Sequence, residues 1–340
     1  NKVYIIAEAG VNHNGNFNLA KKLVLEAKKA GANAIKFQSF KADNLAVKKS
    51  PLANYQKKKL DNASTHYQML KKLELKKEEF KKLNQLSKKL NIDFISTPFD
   101  VSSAKFLNSL KIKFFKTASP DLSDYYLHKY LSSTNKKVII STGMSTIPEI
   151  KKCIKFYKKK NIILMHCVSS YPAPDNSLNL RCLSLLKNLS SEIGYSDHSL
   201  DNTAAVVAVS LGAKIIEKHF TLNNKMKGPD HFFSLNPKKL KEFVAQIRIT
   251  EKMLGLKKKI CQQTEKEIKK VSVKSIVASK NFNKGEKITL NNICLKRPNV
   301  GISGFDIKKI IGKKLNKKIK KDQSIKFIDL ANLKIKNYTL

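Results

Sequence analysis

Glu192-Ile-Gly-Tyr-Ser-Asp-His198 and Lys214-Ile-Ile-Glu-Lys-His219 are the two stretches on which the fold turns. Each is a short apolar run that stops at a histidine with a carboxylate close by. Similar runs precede them at Val3–Ala7, Ala34–Gln38, Asp93–Thr97, Phe114–Ala118, Val138–Thr142 and Ile162–Cys167. Runs of about 4–7 residues rich in Ile, Val and Phe read as strands buried on both faces. Between them lie helical patterns. In Leu19–Ala27 the apolar positions are 19, 20, 23, 24 and 27, and Gly31 ends the helix. Glu79–Leu90, Val101–Leu110, Ile147–Lys159, Asn202–Gly212 and Lys239–Leu254 repeat the pattern. Eight strands, each followed by a helical segment, predict an α/β protein of the (β/α)8 TIM-barrel type over residues 1–255. A doubly wound sheet fits less well, because no G-x-G-x-x-G occurs. Residues 256–273 are charged and turn-like and read as a linker. From 274 to 340, short β-prone pieces and the turn at Asn283-Lys-Gly-Glu286 predict a small β-rich domain.

Composition narrows the function. The chain has 340 residues, 41 % of them hydrophobic, which is enough for a sizeable core and excludes wholesale disorder. Its 67 Lys+Arg against 26 Asp+Glu give a net charge of +41. Only Arg181, Arg248 and Arg297 are arginines, however, and nucleic-acid surfaces favour Arg for bidentate and stacked contacts. The lysines are spread over every predicted helix face, so the charge reads as compositional bias and no nucleic-acid partner is expected. Any electrostatic role would be attraction of small anions. Runs such as Lys57–Lys59 and Lys158–Lys160 read as solvated faces. No apolar run approaches a membrane span and no signal peptide precedes Val3, so a cytoplasmic protein without a membrane partner is expected. Five cysteines without C-x-x-C spacing read as reduced, mostly buried thiols.

In a barrel the active site lies at the carboxyl ends of the strands. Those ends carry Glu8, Lys36 with Gln38, Thr97 with Phe99, Lys116 with Ser119, Ser141 before Gly143, His166, Ser196 with His198, and Glu217 with His219. Such groups are expensive to bury without partners, so their recurrence argues for one polar cavity. His198 and His219 end neighbouring strands and could meet one divalent cation, with Glu8 or Glu217 near. His166 reads almost equally as a structural histidine. Lys36 and Lys116 sit inside apolar segments. One such lysine could form a Schiff base, but two with hydroxyls suit a phosphate or carboxylate better. Asp230, in Gly228-Pro-Asp230, falls on a loop after the last strand.

In these segments the chain resembles the sialic acid synthases. The matching pieces are Ile6-Ala-Glu-Ala-Gly-Val-Asn-His-Asn-Gly15, Ala34-Ile-Lys-Phe-Gln38, Phe94-Ile-Ser-Thr-Pro-Phe99, Ser141-Thr-Gly-Met144, His166-Cys167, Tyr171-Pro172, Gly194–His198, Glu217–Thr221, Gly228-Pro-Asp230 and Lys296-Arg-Pro298. The resemblance implies a barrel followed by an antifreeze-like (SAF) domain, in a domain-swapped homodimer. It implies condensation of phosphoenolpyruvate with an N-acylated mannosamine-type sugar and water, releasing phosphate. His198 and His219 would hold Mn2+ or Mg2+. Lys36, Lys116, Thr97, Ser119, Ser141 and Ser196 would bind phosphoenolpyruvate, and Glu8 and Glu217 would act beside the two lysines in catalysis. Gln38, Phe99, Tyr171 and Asp230 would contact the sugar, with Arg297 reaching it across the dimer. N-acetylneuraminate synthase is the first expectation, N,N'-diacetyllegionaminate synthase the alternative and pseudaminate synthase a more distant one. The chain departs from the family pattern at Ser119-Pro120-Asp121, where a glycine is usual at the middle position, and at Ser169, where some members have Asn. Outside the family, a Schiff-base aldolase and a non-catalytic polyanion-binding barrel are the competing readings.

Overall fold

Successive side chains on a strand point to opposite faces. A barrel strand therefore gives every second residue to the lumen and the others to the surrounding helices. The computed structural model, which describes residues 2–53, 56 and 65–331, has this arrangement in the first of two compact units, residues 1–255. Its strands are β1 (Tyr4–Gly10), β2 (Ala34–Ser39), β3 (Asp93–Pro98), β4 (Phe115–Thr117), β5 (Val138–Ser141), β6 (Ile162–His166), β7 (Glu192–Asp197) and β8 (Ile215–His219). They form one parallel sheet in the order β3-β2-β1-β8-β7-β6-β5-β4, with β1 paired to both β2 and β8. This is a (β/α)8 barrel whose seam lies between β3 and the short β4.

The lumen has two layers. Ile6, Ala34, Ile95, Phe114, Ile139, Ile163, Met165 and Ile215 make an apolar floor. Two residues further along the same strands stand the polar groups. Register levels them: Glu8 lies opposite Lys36 on β2 and opposite His219 on β8, and Ser196 opposite Glu217. The odd-phase residues, among them Ile5, Ala7, Ile35, Phe37, Phe115 and Ile140, join the helices in the main core. At the end of β1 the register slips between Glu8 and Gly10. Gly10 has φ +52°, and a Cβ there would stand 3.2 Å from Glu8 Oε1, so glycine suits this bulge on both counts.

Several local expectations change. The helix expected over Ile147–Lys159 stops at Ile154, and a 3-10 turn, Lys159–Asn161, leads into β6. Helices at His66–Leu73, Tyr125–Ser133 and Cys182–Lys187 were not read from the pattern. They are short, so few turns repeat the apolar stripe, although Asp124 caps Leu127 N at 2.9 Å and Leu127, His128 and Leu131 are buried. The stretch expected to be a turn-like linker contains a helix, Lys266–Ser272, none of whose residues is buried.

The second unit, residues 256–340, pairs β9 (Ser275–Ala278) with β10 (Ile293–Lys296) antiparallel. Ile276, Phe282, Ile288, Ile310, Leu315 and Ile325 form its core. All five cysteines are free, but only Cys153 and Cys167 are buried; Cys182 and Cys294 are half-buried and Cys261 exposed, against the expectation of mostly buried thiols. Lys158–Lys160 is exposed, whereas Lys57–Lys59 and residues 332–340 lie outside the described residues. Among the described residues no helix is long and apolar enough to cross a membrane.

Candidate active site

The polar layer opens into a cavity of about 340 Å3 at the carboxyl ends of the strands. Glu8, Lys36, Lys116 and Glu217 stand at its base, each almost fully buried. Lys36 Nζ lies 2.8 Å from Glu8 Oε2, 3.7 Å from Glu217 Oε2 and donates to Thr97 Oγ1 at 3.1 Å. Lys116 Nζ lies 3.5 Å from Glu217 Oε1 and donates to Ser141 Oγ at 2.6 Å. Ser196 Oγ donates to Glu217 Oε1 at 2.9 Å. Two lysines and two carboxylates thus share one small volume away from water.

Burial pushes both carboxyls up, but their neighbours split them. For Glu217, Lys116 and Lys36 outweigh burial and bring the carboxyl down to about 2. For Glu8, burial wins over Lys36, Glu217 adds its repulsion, and the carboxyl rises to about 7. Burial lowers Lys116, and Lys36 lowers it further, although Glu217 opposes the shift. Lys36 is raised because the two carboxylates overcome its burial. The arrangement keeps Glu217 anionic and lets Glu8 hold a proton near neutral pH. With Glu8 protonated, the Lys36 ammonium balances Glu217, and an ammonium at Lys116 makes the four groups net positive. An entering anion would be attracted, and its own charge would favour the ammonium form of Lys116.

Above this layer His198 and His219 face each other with ring centroids 5.5 Å apart. Tyr171 packs 4.4 Å from His198, and Phe233 4.9 Å from His219. Burial holds the His198 imidazole down to about 4, and burial plus His198 takes His219 well below the usual range. Both rings are therefore neutral and carry a lone pair. His198 uses Nδ1 to bond Val168 O at 2.6 Å, which leaves Nε2 free to ligate, 3.4 Å from Ser196 Oγ. His219 has a buried Nδ1 with no hydrogen-bond partner. This donor set fits a divalent cation. Among the described residues no third His, Cys, Asp or Glu joins the pair, because Glu8 and Glu217 turn to the lysines instead.

The comparisons with known proteins fit this geometry. Residues 23–259 match the NeuB family and residues 273–331 the SAF domain. The chain belongs to the NeuB family. It is an enzyme of the sialic and legionaminic acid synthase type. It is 43 % identical to the N,N'-diacetyllegionaminic acid synthase of Campylobacter jejuni, covering 96 % of this chain and 99 % of that protein. It is 40 % identical to the enzyme of that name from Legionella pneumophila, over 92 % and 90 % of the two chains. The N-acetylneuraminic acid synthetase of Leptospira borgpetersenii, solved in complex with citrate, superposes with TM-score 0.69 at 37 % identity, covering 79 % and 90 %.

In this NeuB-family chain Glu8, Lys36, Gln38, Phe99, Lys116, Ser119, Ser141, Tyr171, Ser196, His198, Glu217, His219 and Asp230 all line the one cavity. Thr97 stands behind Lys36. Arg297 lies in the second unit, exposed, in the residue after β10. His166 is on the outward phase of β6 and bonds Leu178 O at 2.7 Å, which makes it structural. Ser119 Oγ accepts from Gly143 N at 3.0 Å, and a Cβ on Gly143 would collide with the Ser119 and Ser169 hydroxyls. Pro120 falls in the first turn of the 3-10 helix Ser119–Ser123, where a missing N–H costs little.

Two features stand outside the expected site residues. Asp121 lines the cavity with a buried, unpartnered Oδ2, and burial, then Asp124, raises its carboxyl to about 7. Met69, Leu70 and Leu73, with Val11 and Leu45, give the cavity an apolar wall. The signal for the first was the pattern departure at Pro120. The second comes from the unread helix His66–Leu73.

Proposed function

We propose that the protein condenses phosphoenolpyruvate with an open-chain N-acylated mannosamine-type sugar and water to form a nonulosonic acid and phosphate. The observation that carries this reading is the pairing of Lys36 and Lys116 with a neutral His198–His219 pair in one cavity. An anionic donor fits the lysines, and an oxygen-rich acceptor fits the space beside the imidazoles. Lys36, Lys116, Ser119, Ser141 and Ser196 hold the phosphate and carboxylate, with Thr97 orienting Lys36. Gln38, Phe99, Tyr171 and Asp230 position the sugar. A divalent cation, Mn2+ or Mg2+, held by His198 and His219 would supply Lewis-acid polarisation of the aldehyde.

A new C–C bond joins C3 of phosphoenolpyruvate to the aldehyde carbon, and the aldehyde oxygen becomes a hydroxyl by taking a proton. Water then adds at C2 and loses a proton; the C2 hydroxyl so formed becomes the carbonyl as the C2–O bond to phosphate breaks, and its proton leaves with the phosphate. Glu8 suits the first two proton transfers, to the aldehyde oxygen and from the water, because its carboxyl is raised to about 7. Glu217 stays anionic and fixes the two ammonium groups between which the donor sits.

The acceptor favoured here is a 2,4-diacetamido-6-deoxymannose. The two legionaminic acid synthases at 43 % and 40 % identity support it, and Met69, Leu70 and Leu73 suit a 6-methyl and acetyl groups. N-acetylmannosamine, the first expectation from sequence, becomes the alternative. A cytoplasmic homodimer, with Arg297 of one chain reaching the other's sugar site, completes the proposal. Its domain limits are those read from sequence, 1–255, 256–273 and 274–340. The test is phosphate release from phosphoenolpyruvate with Mn2+, compared between the two sugars and no sugar. Sugar-dependent release, faster with the diacetamido sugar and abolished by EDTA, is expected, and Arg297→Ala should raise the sugar KM. Sugar-independent release, or none from folded protein, would refute the reading.

A further inference from the structure

Between Glu217 and His219, which face the lumen, Lys218 points the other way. It is 2 % exposed and sits in the layer between sheet and helices. Register places it opposite Asp197 on β7. Its ammonium has three N–H donors and three close acceptors, Asp197 Oδ2 at 2.7 Å, Ser199 O at 2.6 Å and Asp201 O at 2.8 Å, with Ser199 Oγ further off at 3.5 Å. The other Asp197 oxygen accepts from Ser199 N at 2.9 Å and Ser199 Oγ at 2.7 Å. The turn after β7 is thereby wrapped around one buried cation. His198 is held between its two anchored residues, Asp197 and Ser199.

We infer that Lys218 and Asp197 are positioning residues that clamp the 197–201 turn so that His198 presents Nε2 to the cavity. A buried ion pair is a poor source of net stability, because desolvation offsets its attraction. Its physical effect here is geometric. Six hydrogen bonds of the network, counting the 2.6 Å bond from His198 Nδ1 to Val168 O, leave the turn one arrangement. The backbone of His198 is tied as well, since its O accepts from Ala173 N at 2.9 Å. Lys218 reaches neither the cavity nor a substrate, so it acts only through His198. The link to a cation rests on the function proposed above, whereas the clamp itself does not.

The test uses the full-length protein and two readouts, neither of them turnover. Mn2+ affinity is measured by electron paramagnetic resonance of the free ion. The tautomer of His198 is read from its 15N shifts in metal-free protein, where Nδ1–H with unprotonated Nε2 is expected. Lys218→Met should weaken Mn2+ binding about 10–100-fold, the usual cost of losing an outer partner of a ligand, and should mix the tautomers. If the stranded Asp197 charge prevents folding, Asp197→Leu with Lys218→Met removes that penalty and should show the same two losses. A folded single or double variant with wild-type Mn2+ affinity and a single wild-type tautomer would overturn the clamp. Should the wild type itself fail to bind Mn2+, the metal reading falls, and the tautomer in the variant alone decides the clamp.

Discussion

The floor of the barrel lumen and the layer above it differ by two residues along the same strands. Ile6 gives way to Glu8, Ala34 to Lys36, Ile95 to Thr97, Phe114 to Lys116, Ile139 to Ser141 and Ile215 to Glu217. Both layers are buried. What differs is the source of their free energy. The floor gains from close packing and removal of apolar surface. The polar layer has spent desolvation energy that only partners recover, and its carboxyls are forced apart, to about 7 for Glu8 and about 2 for Glu217. Equal burial therefore marks stability in one layer and reactivity in the other.

Four substitutions probe that contrast, the largest effect first. His219→Ala should lower the synthase rate by at least about 100-fold, as loss of a catalytic group does, with little loss of melting temperature. A variant that melts far lower yet turns over normally would place His219 on the structural side. Ile139→Val should do the reverse, costing about 0.5–1.5 kcal/mol of stability with kcat unchanged. Denaturant titration and initial rates on the same sample separate the two.

Glu8→Gln tests the electrostatics. A carboxyl raised in the folded state binds its proton more tightly there than when unfolded. Between the ordinary value of 4.5 and about 7 the wild type thus loses stability as pH rises, with the loss complete above about 7. Glu8→Gln lacks this loss, so its melting temperature relative to wild type should climb across that window. A flat difference would show that Glu8 ionises normally. The smallest effect is expected from Pro120→Gly: under about 3-fold in rate, and a loss of about 0.4–1 kcal/mol from added freedom of the unfolded chain. A large gain in rate would mean that the proline withholds a donor the reaction uses.

Much of this was legible because period-2 alternation in a strand is strict. Once β1, β2 and β8 are placed, Glu8, Lys36 and Glu217 fall on the lumen face with their apolar predecessors. The same parity places two further residues off the lumen. His166 lies one residue out of phase, which decides for the structural one of its two readings, and Lys218 does too, so it faces the helices. The wall from His66–Leu73 was illegible for a different reason. It lies in the long β2–β3 excursion, and a two-turn helix carries too few repeats to stand out from lysine-rich surroundings. Asp121 owes its burial to the 3-10 turn around it, which no periodicity announces.

The most direct test of the account is calorimetric binding of phosphoenolpyruvate to the full-length protein, beside Lys36→Met and Lys116→Met. The account predicts stoichiometric binding by wild type and a loss of at least about 10-fold in either variant, each still folded, as fits loss of one charged hydrogen-bonding partner. Undiminished binding by both variants would place the anion elsewhere and contradict the reading of the polar layer.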